Sequence, residues 1–422
     1  MLRVLCAAAC LVLVQGADAG ARSGPQGADF ETVIASGDPA VYAQAIASDA
    51  YSGPQADLLR GALAAMLNRD GEAETRLAAL KRDETLAPSL RREASLTLAG
   101  VRLRAGDYAA SVIAYDAAEA ASGEALEPGQ RQARDLAAAL RDEPAMTREA
   151  LIPGSVSMRR DRAGLPRARV QVNGRRQDMV IDTGAAFSTV TESTAERLGV
   201  RMLDSDISVG SSVEESVPGR LGVANQLDFG GVIFHNVVFI VLPDEALSFA
   251  GGAYRIPAIL GLPVLARLER LRITPDGRRE TLDFELSTGG GPPPNMVMEG
   301  LRPVLLARVE ASEGRLRLMI DTGARATLLY LSAGEAIPGL LHGVEASPTR
   351  LGGAGGVRVD EDAMSLPRLT LLVADQSVTL EDVRMLSHQQ SGLHGLLGQD
   401  VLRARSGYLI DFTAMRLELL DG

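Results

Sequence analysis

The sequence predicts a multidomain chain in which an α-helical repeat domain precedes an all-β region of two duplicated lobes. Three observations carry this prediction. Residues 29–149 are rich in Ala, Leu, Arg and Glu, with apolar positions at helical spacing. Beyond Leu151-Ile152-Pro153-Gly154, short β-prone runs alternate with turn residues. Finally, Asp182-Thr183-Gly184-Ala185 returns as Asp321-Thr322-Gly323-Ala324, and each copy follows a short apolar run.

The start of the chain reads as an export signal. Arg3 precedes an apolar run over residues 4–14, and Ala17-Asp18-Ala19 follows as a small-x-small cleavage site, so residues 1–19 are expected to leave after Ala19. Eleven apolar residues fall short of the roughly 20 that span a bilayer, and no membrane span is expected in the mature chain. Cys6 and Cys10 both lie in this leader. The mature chain would therefore lack a thiol nucleophile and disulfides, and a periplasmic or secreted location is expected.

Residues 28–150 form the expected helical domain. Leu63 through Gly71 to Leu80 lines up with Leu98 through Gly106 to Tyr115 at an offset of 35 residues, a helix, glycine turn and helix in each copy. This resembles tetratricopeptide repeats, and a plain helical bundle fits the same spacing. Such a domain is expected to offer a surface for a protein partner.

The first β lobe is expected over 155–288. Asn173-Gly174 sits between extended runs at 168–172 and 179–181, a hairpin signal because both turn residues accept positive φ. Further strands are expected at 226–229, 233–242 and 269–274, the last pairing with 281–284 across Pro275-Asp276-Gly277. Glycines and prolines then make 289–299 a linker. The second lobe, 300–422, repeats the plan, with strands at 302–309 and 316–320. Leu260-Gly261 in lobe 1 has its counterpart in Leu397-Gly398, and Asp182 to Gly261 spans 79 positions against 77 from Asp321 to Gly398. Two different motifs in one order at near-equal spacing imply duplication.

Composition excludes several function classes. At 422 residues, 46% hydrophobic and 23% charged, the chain is globular and too long for one core. A net charge of -11 and the absence of Trp argue against nucleic acid. Lys81 is the sole lysine, which removes phosphate-loop, Schiff-base and kinase-type chemistry. His235, His342, His388 and His394 lack metal-ligand spacing, with His388 and His394 expected on a loop, and no metal or cofactor is expected.

An Asp-Thr-Gly-Ala loop after an apolar strand, with a Leu-Gly segment near 80 residues later, resembles the retropepsin and pepsin clan of aspartic proteases. The resemblance runs from about Arg167 to the C-terminus. Each half is more like a retropepsin subunit, whereas two lobes in one chain is the pepsin arrangement. The resemblance implies that Asp182 and Asp321 meet across a pseudo-twofold axis as the catalytic pair. It also implies that Thr183, Gly184, Ala185, Thr322, Gly323 and Ala324 hold the two loops, braced by Leu260, Gly261, Leu397 and Gly398. Flap hairpins over a peptide or protein substrate are expected near residues 208–213 and 351–357, with Gly210, Ser211, Gly352 and Gly353 at their tips. Ser188 and Thr327, each six residues after its aspartate, are expected to support the turns.

Two carboxylates in hydrogen-bonding range share a proton, as aspartic proteases illustrate. An endopeptidase that activates water between them, monomeric through intramolecular lobe pairing, is the reading. Its rivals are a non-catalytic peptide-binding module on the same fold and a dimer pairing lobe to lobe.

Overall fold

A computed structural model describes residues 5–6, 29–210, 216–387, 390 and 392–421. The expected leader, residues 1–19, lies outside the described residues except for Leu5–Cys6. The helices, through Ala145, fall in one compact unit together with Val297–Leu301, and the rest of the β region from Met146 belongs to another. Among the described residues no helix is long and apolar enough to cross a membrane.

The helical unit has seven described helices: α1 (Phe30–Ser36), α2 (Pro39–Ala47), α3 (Gly53–Met66), α4 (Asp70–Arg82), α5 (Pro88–Ala105), α6 (Tyr108–Ser122) and α7 (Pro128–Ala139). Their ends follow local chemistry. Gly106 adopts φ 86° and closes α5, while the Asp107 carboxylate accepts from Ala110 N and starts α6. Leu58, Leu77, Leu98 and Val101 make the core of α3, α4 and α5, as their spacing predicts. Gly61 allows α3 to approach α4 closely, since a Cβ there would lie 2.6 Å from Leu77 Cδ2.

Two closed β-barrel lobes make up the rest. In lobe 1, strand Pro166–Val172 turns through Asn173 (φ 49°) and Gly174 (φ 75°) into Arg175–Ile181, the expected primed hairpin. The barrel closes where Gln171 and Val172 also pair with Asp228 and Leu227. Lobe 2 repeats this: Arg302–Val309 pairs with Arg315–Ile320, and Arg308 and Val309 close onto Leu372 and Leu371. The hairpin at Gly277 forms as expected, Arg270–Asp276 against Arg279–Glu285.

Three boundaries differ from the sequence reading. Thr147–Arg148 already pairs with Phe234 and His235, so the β unit starts inside the stretch assigned to helices; two residues carry no detectable period. The expected linker 289–299 ends in a strand, Met296–Glu299, because Met296, Val297 and Met298 are buried. The last strands, Tyr408–Asp411 and Arg416–Leu419, leave lobe 2 and extend the lobe 1 sheet, where residues 408–411 pair with residues 270–273.

Candidate active site

Each aspartate directly follows a buried strand end. Met179, Val180 and Ile181 are buried, and their strand runs parallel to Ala258–Leu260, with Ile181 opposite Leu260. The Asp182 N–H then donates to Leu260 O at 3.1 Å. Lobe 2 copies this with Ile320 opposite Leu397 and Asp321 N donating to Leu397 O at 3.0 Å. Gly184 N donates to Asp182 Oδ1 at 2.9 Å, and Gly323 N donates to Asp321 Oδ1 at 2.8 Å.

The two loops are joined by reciprocal threonine bonds. Thr183 Oγ1 donates to Ile320 O (2.6 Å) and accepts from Thr322 N (3.1 Å). Thr322 Oγ1 donates to Ile181 O (2.8 Å) and accepts from Thr183 N (3.0 Å). Four bonds therefore cross between the lobes directly behind the carboxylates.

The Leu-Gly segments lock each loop from below. Gly261 N donates to Ser188 Oγ at 3.1 Å and Gly398 N donates to Thr327 Oγ1 at 3.0 Å, so the two hydroxyls hold the turns. A Cβ on Gly261 would sit 2.5 Å from the Phe187 carbonyl carbon, and one on Gly398 2.4 Å from that of Ala326. Only glycine fits either place. The carbonyls of Ala185 and Ala324 accept from Leu262 N (2.8 Å) and Gln399 N (2.9 Å).

Asp182 and Asp321 are both fully buried, and their side chains lie in hydrogen-bonding range of each other. Burial first, then the charge and hydrogen bond of Asp321, push the Asp182 carboxyl well above the usual carboxylate range; the N–H groups of Gly184 and Ala185 oppose this. Asp182 Oδ2 has no donor among the described residues.

The flap positions divide. Gly352 and Gly353 lie in a hairpin, Thr349–Gly353 against Gly356–Asp360, opposite Val357 and Gly356. Next to them Gly355 N donates to Ala246 O of lobe 1 at 2.9 Å. Gly210 follows the strand Arg201–Val209, which pairs with Val217–Phe229, while Ser211 lies outside the described residues. His394 lies in the turn before Gly395–Leu397 but is buried, its Nδ1 accepting from Arg317 N at 3.1 Å; His388 lies outside the described residues. Among the described residues no group of three or more His, Cys, Asp or Glu could hold a metal.

Two polar neighbours escaped the sequence reading. Asp400 accepts from Thr327 N (2.9 Å) and Oγ1 (2.7 Å), fixing the hydroxyl that holds Gly398; burial raises its own carboxyl, against those bonds. Gln399 donates through Nε2 to Thr322 O at 2.8 Å. A comparison of the two halves exposes Gln399, because its counterpart after Gly261 is the apolar Leu262.

Comparison with known proteins follows the same division. A family model described as Aspartyl protease matches the chain twice, over residues 168–264 and 307–401, and each match contains one aspartate loop and its Leu-Gly segment. Among solved structures, a retropepsin-like aspartic protease from Rickettsia conorii is 20% identical, covering 33% of this chain and 96% of that one, with a TM-score of 0.23. No match was found among curated proteins. The duplicated aspartate loops and the threonine bonds between them thus fall in the two stretches of the chain that are similar to the aspartyl protease family.

Proposed function

We propose that the chain is a peptide hydrolase, an exported endopeptidase in which Asp182 and Asp321 activate a water molecule. The supporting observation is that two buried carboxyls from duplicated loops lie in hydrogen-bonding range of each other. The ionised member takes a proton from water, and the protonated member donates a hydrogen bond to the scissile carbonyl. As water attacks, the protonated member's proton passes to the carbonyl oxygen and gives a tetrahedral diol, which collapses when the other aspartate hands the proton it took from water to the leaving amine and a diol hydroxyl returns its proton to the pair; no acyl-enzyme forms. An extended peptide lying under the hairpins near Gly210 and Gly352 fits this chemistry. Residues 1–19 are the proposed export signal, and the helical unit the proposed dock for a protein partner.

The raised Asp182 carboxyl sets the sign of the pH dependence. Activity requires one proton on the pair, so it falls as pH rises through the Asp182 ionisation. The test is cleavage of an unfolded, fluorescence-quenched protein by wild type, Asp182→Asn and Asp321→Asn. Each substitution is expected to lower kcat by at least ~10³-fold with the fold retained. Wild-type turnover in either variant would refute the shared pair.

A further inference from the structure

The two loops are near-symmetric, but the residues after each Leu-Gly segment differ: lobe 2 has Gln399 and Asp400 where lobe 1 has Leu262 and Pro263. Gln399 is 5% exposed and spans two groups: Nε2 donates to Thr322 O at 2.8 Å, and Oε1 accepts from Arg160 Nη2 at 2.8 Å. Arg160 is itself anchored, donating to Gly164 O at 2.7 Å and to Glu280 Oε1 at 2.9 Å. The amide that Gln399 touches matters because the carbonyl of Thr322 and the N–H of Gly323 belong to one peptide group. That N–H is the donor to Asp321 Oδ1. A bond accepted at the carbonyl end of an amide strengthens donation from its N–H end. The guanidinium of Arg160 thus acts, through one side-chain amide and one peptide group, on the Asp321 carboxylate. In lobe 1 the corresponding position is Leu262, which has no side-chain donor for Thr183 O.

We propose that Gln399 is a positioning residue that orders the ionisation of the pair: the Arg160–Gln399–Thr322 chain makes Asp321 the anion and leaves the proton on Asp182. This rests on reading the two aspartates as a proton-sharing pair. The absence of a donor to Asp182 Oδ2 among the described residues agrees with it, since a buried oxygen without a donor is a poor place for charge. Among the described residues, Asp321 is the ionisable group facing Asp182. Behind the loops stand Arg160, Glu280, Arg403 and Asp400, with Arg403 Nε 2.8 Å from Glu280 Oε1. Arg325, four residues after Asp321, is exposed.

The test reads the carboxyls directly. Full-length protein labelled with 13C at aspartate Cγ is titrated by NMR, with Asp182→Asn and Asp321→Asn assigning the signals. In wild type, Asp321 is expected to carry the lower ionisation step of the pair. In Gln399→Met that step is expected to rise by about 0.5 pH unit, a roughly threefold change in ionisation constant, as one polarising bond is lost. Arg160→Gln, which leaves Glu280 paired with Arg403, is expected to shift it the same way and less, and decides the question if Gln399→Met does not fold. An unchanged lower step in the folded variants, or a lower step on Asp182, would overturn the proposal. Because ionisation is measured rather than cleavage, a wild type that titrates as expected but cuts no peptide would sink the proposed hydrolase and not the ordering.

Discussion

Replacing Thr183 with Val tests the joint between the lobes at its most exposed weakness. Val matches Thr in shape, so the perturbation removes hydrogen bonds and little packing. Thr183 is buried, and its hydroxyl serves two backbone groups, Ile320 O at 2.6 Å and Thr322 N at 3.1 Å. Ile320 and Thr322 are themselves buried. A stranded buried polar group costs about 1–3 kcal/mol, so two cost ~4 kcal/mol. Thr183→Ser keeps both bonds and loses one methyl, which costs about 1 kcal/mol. Calorimetry of the β unit measures the difference, and hydrogen exchange at the Thr322 amide reports the broken bond itself. Activity should fall with the bond, because the loops that set the aspartates lose their common anchor. If Thr183→Val cost less than ~0.5 kcal/mol and left Thr322 protected, the threonine bonds would be a consequence of lobe packing rather than a cause of it.

Two further outcomes follow from single residues. Gly398→Ala forces a Cβ to 2.4 Å from the Ala326 carbonyl carbon, a clash with backbone that no rotamer relieves. It is expected to cost ~3 kcal/mol or more and to abolish cleavage, and wild-type melting would contradict the packing account. Buried His394 is held neutral, its imidazole pushed down to about 4 by burial and then by Arg317. The unfolded chain binds a proton there below about pH 6.5 and the folded one does not, so stability falls as pH drops from about 6.5 to about 4, by ~3 kcal/mol in all. His394→Asn should flatten denaturant midpoints across that window; an unchanged pH slope would locate the acid sensitivity elsewhere.

The aspartate loops were legible because duplication supplies its own control. One Asp-Thr-Gly is a common turn, but its return with a second Leu-Gly at matching distance ties four segments together. Ser188 and Thr327 were legible by the same comparison. The hairpin Met364–Val373 to Gln376–Leu386 was not, since its turn uses Ala374 (φ 47°) and Asp375 (φ 68°), where glycine or asparagine would have announced positive φ. The pairing of Tyr408–Asp411 with lobe 1 left no local trace either, because partner choice between distant strands depends on the assembled barrels. Gln399 is hidden for a different reason: the Leu-Gly motif stands out by what the halves share, and Gln399 lies where they differ, opposite Leu262.

The exchange of the last hairpin has a consequence for the order of events during synthesis. Strand Arg270–Asp276 belongs to the first lobe, but one of its two neighbours, Tyr408–Asp411, is made only after most of the second lobe. A nascent chain that has finished lobe 1 therefore carries an open β edge, which is a site for misassociation until residues 408–411 arrive. Completion of the first lobe waits for residues 408–411. A chain made only through lobe 1 lacks this neighbour, and synthesis of residues 408–411 becomes the timing step for the whole β unit.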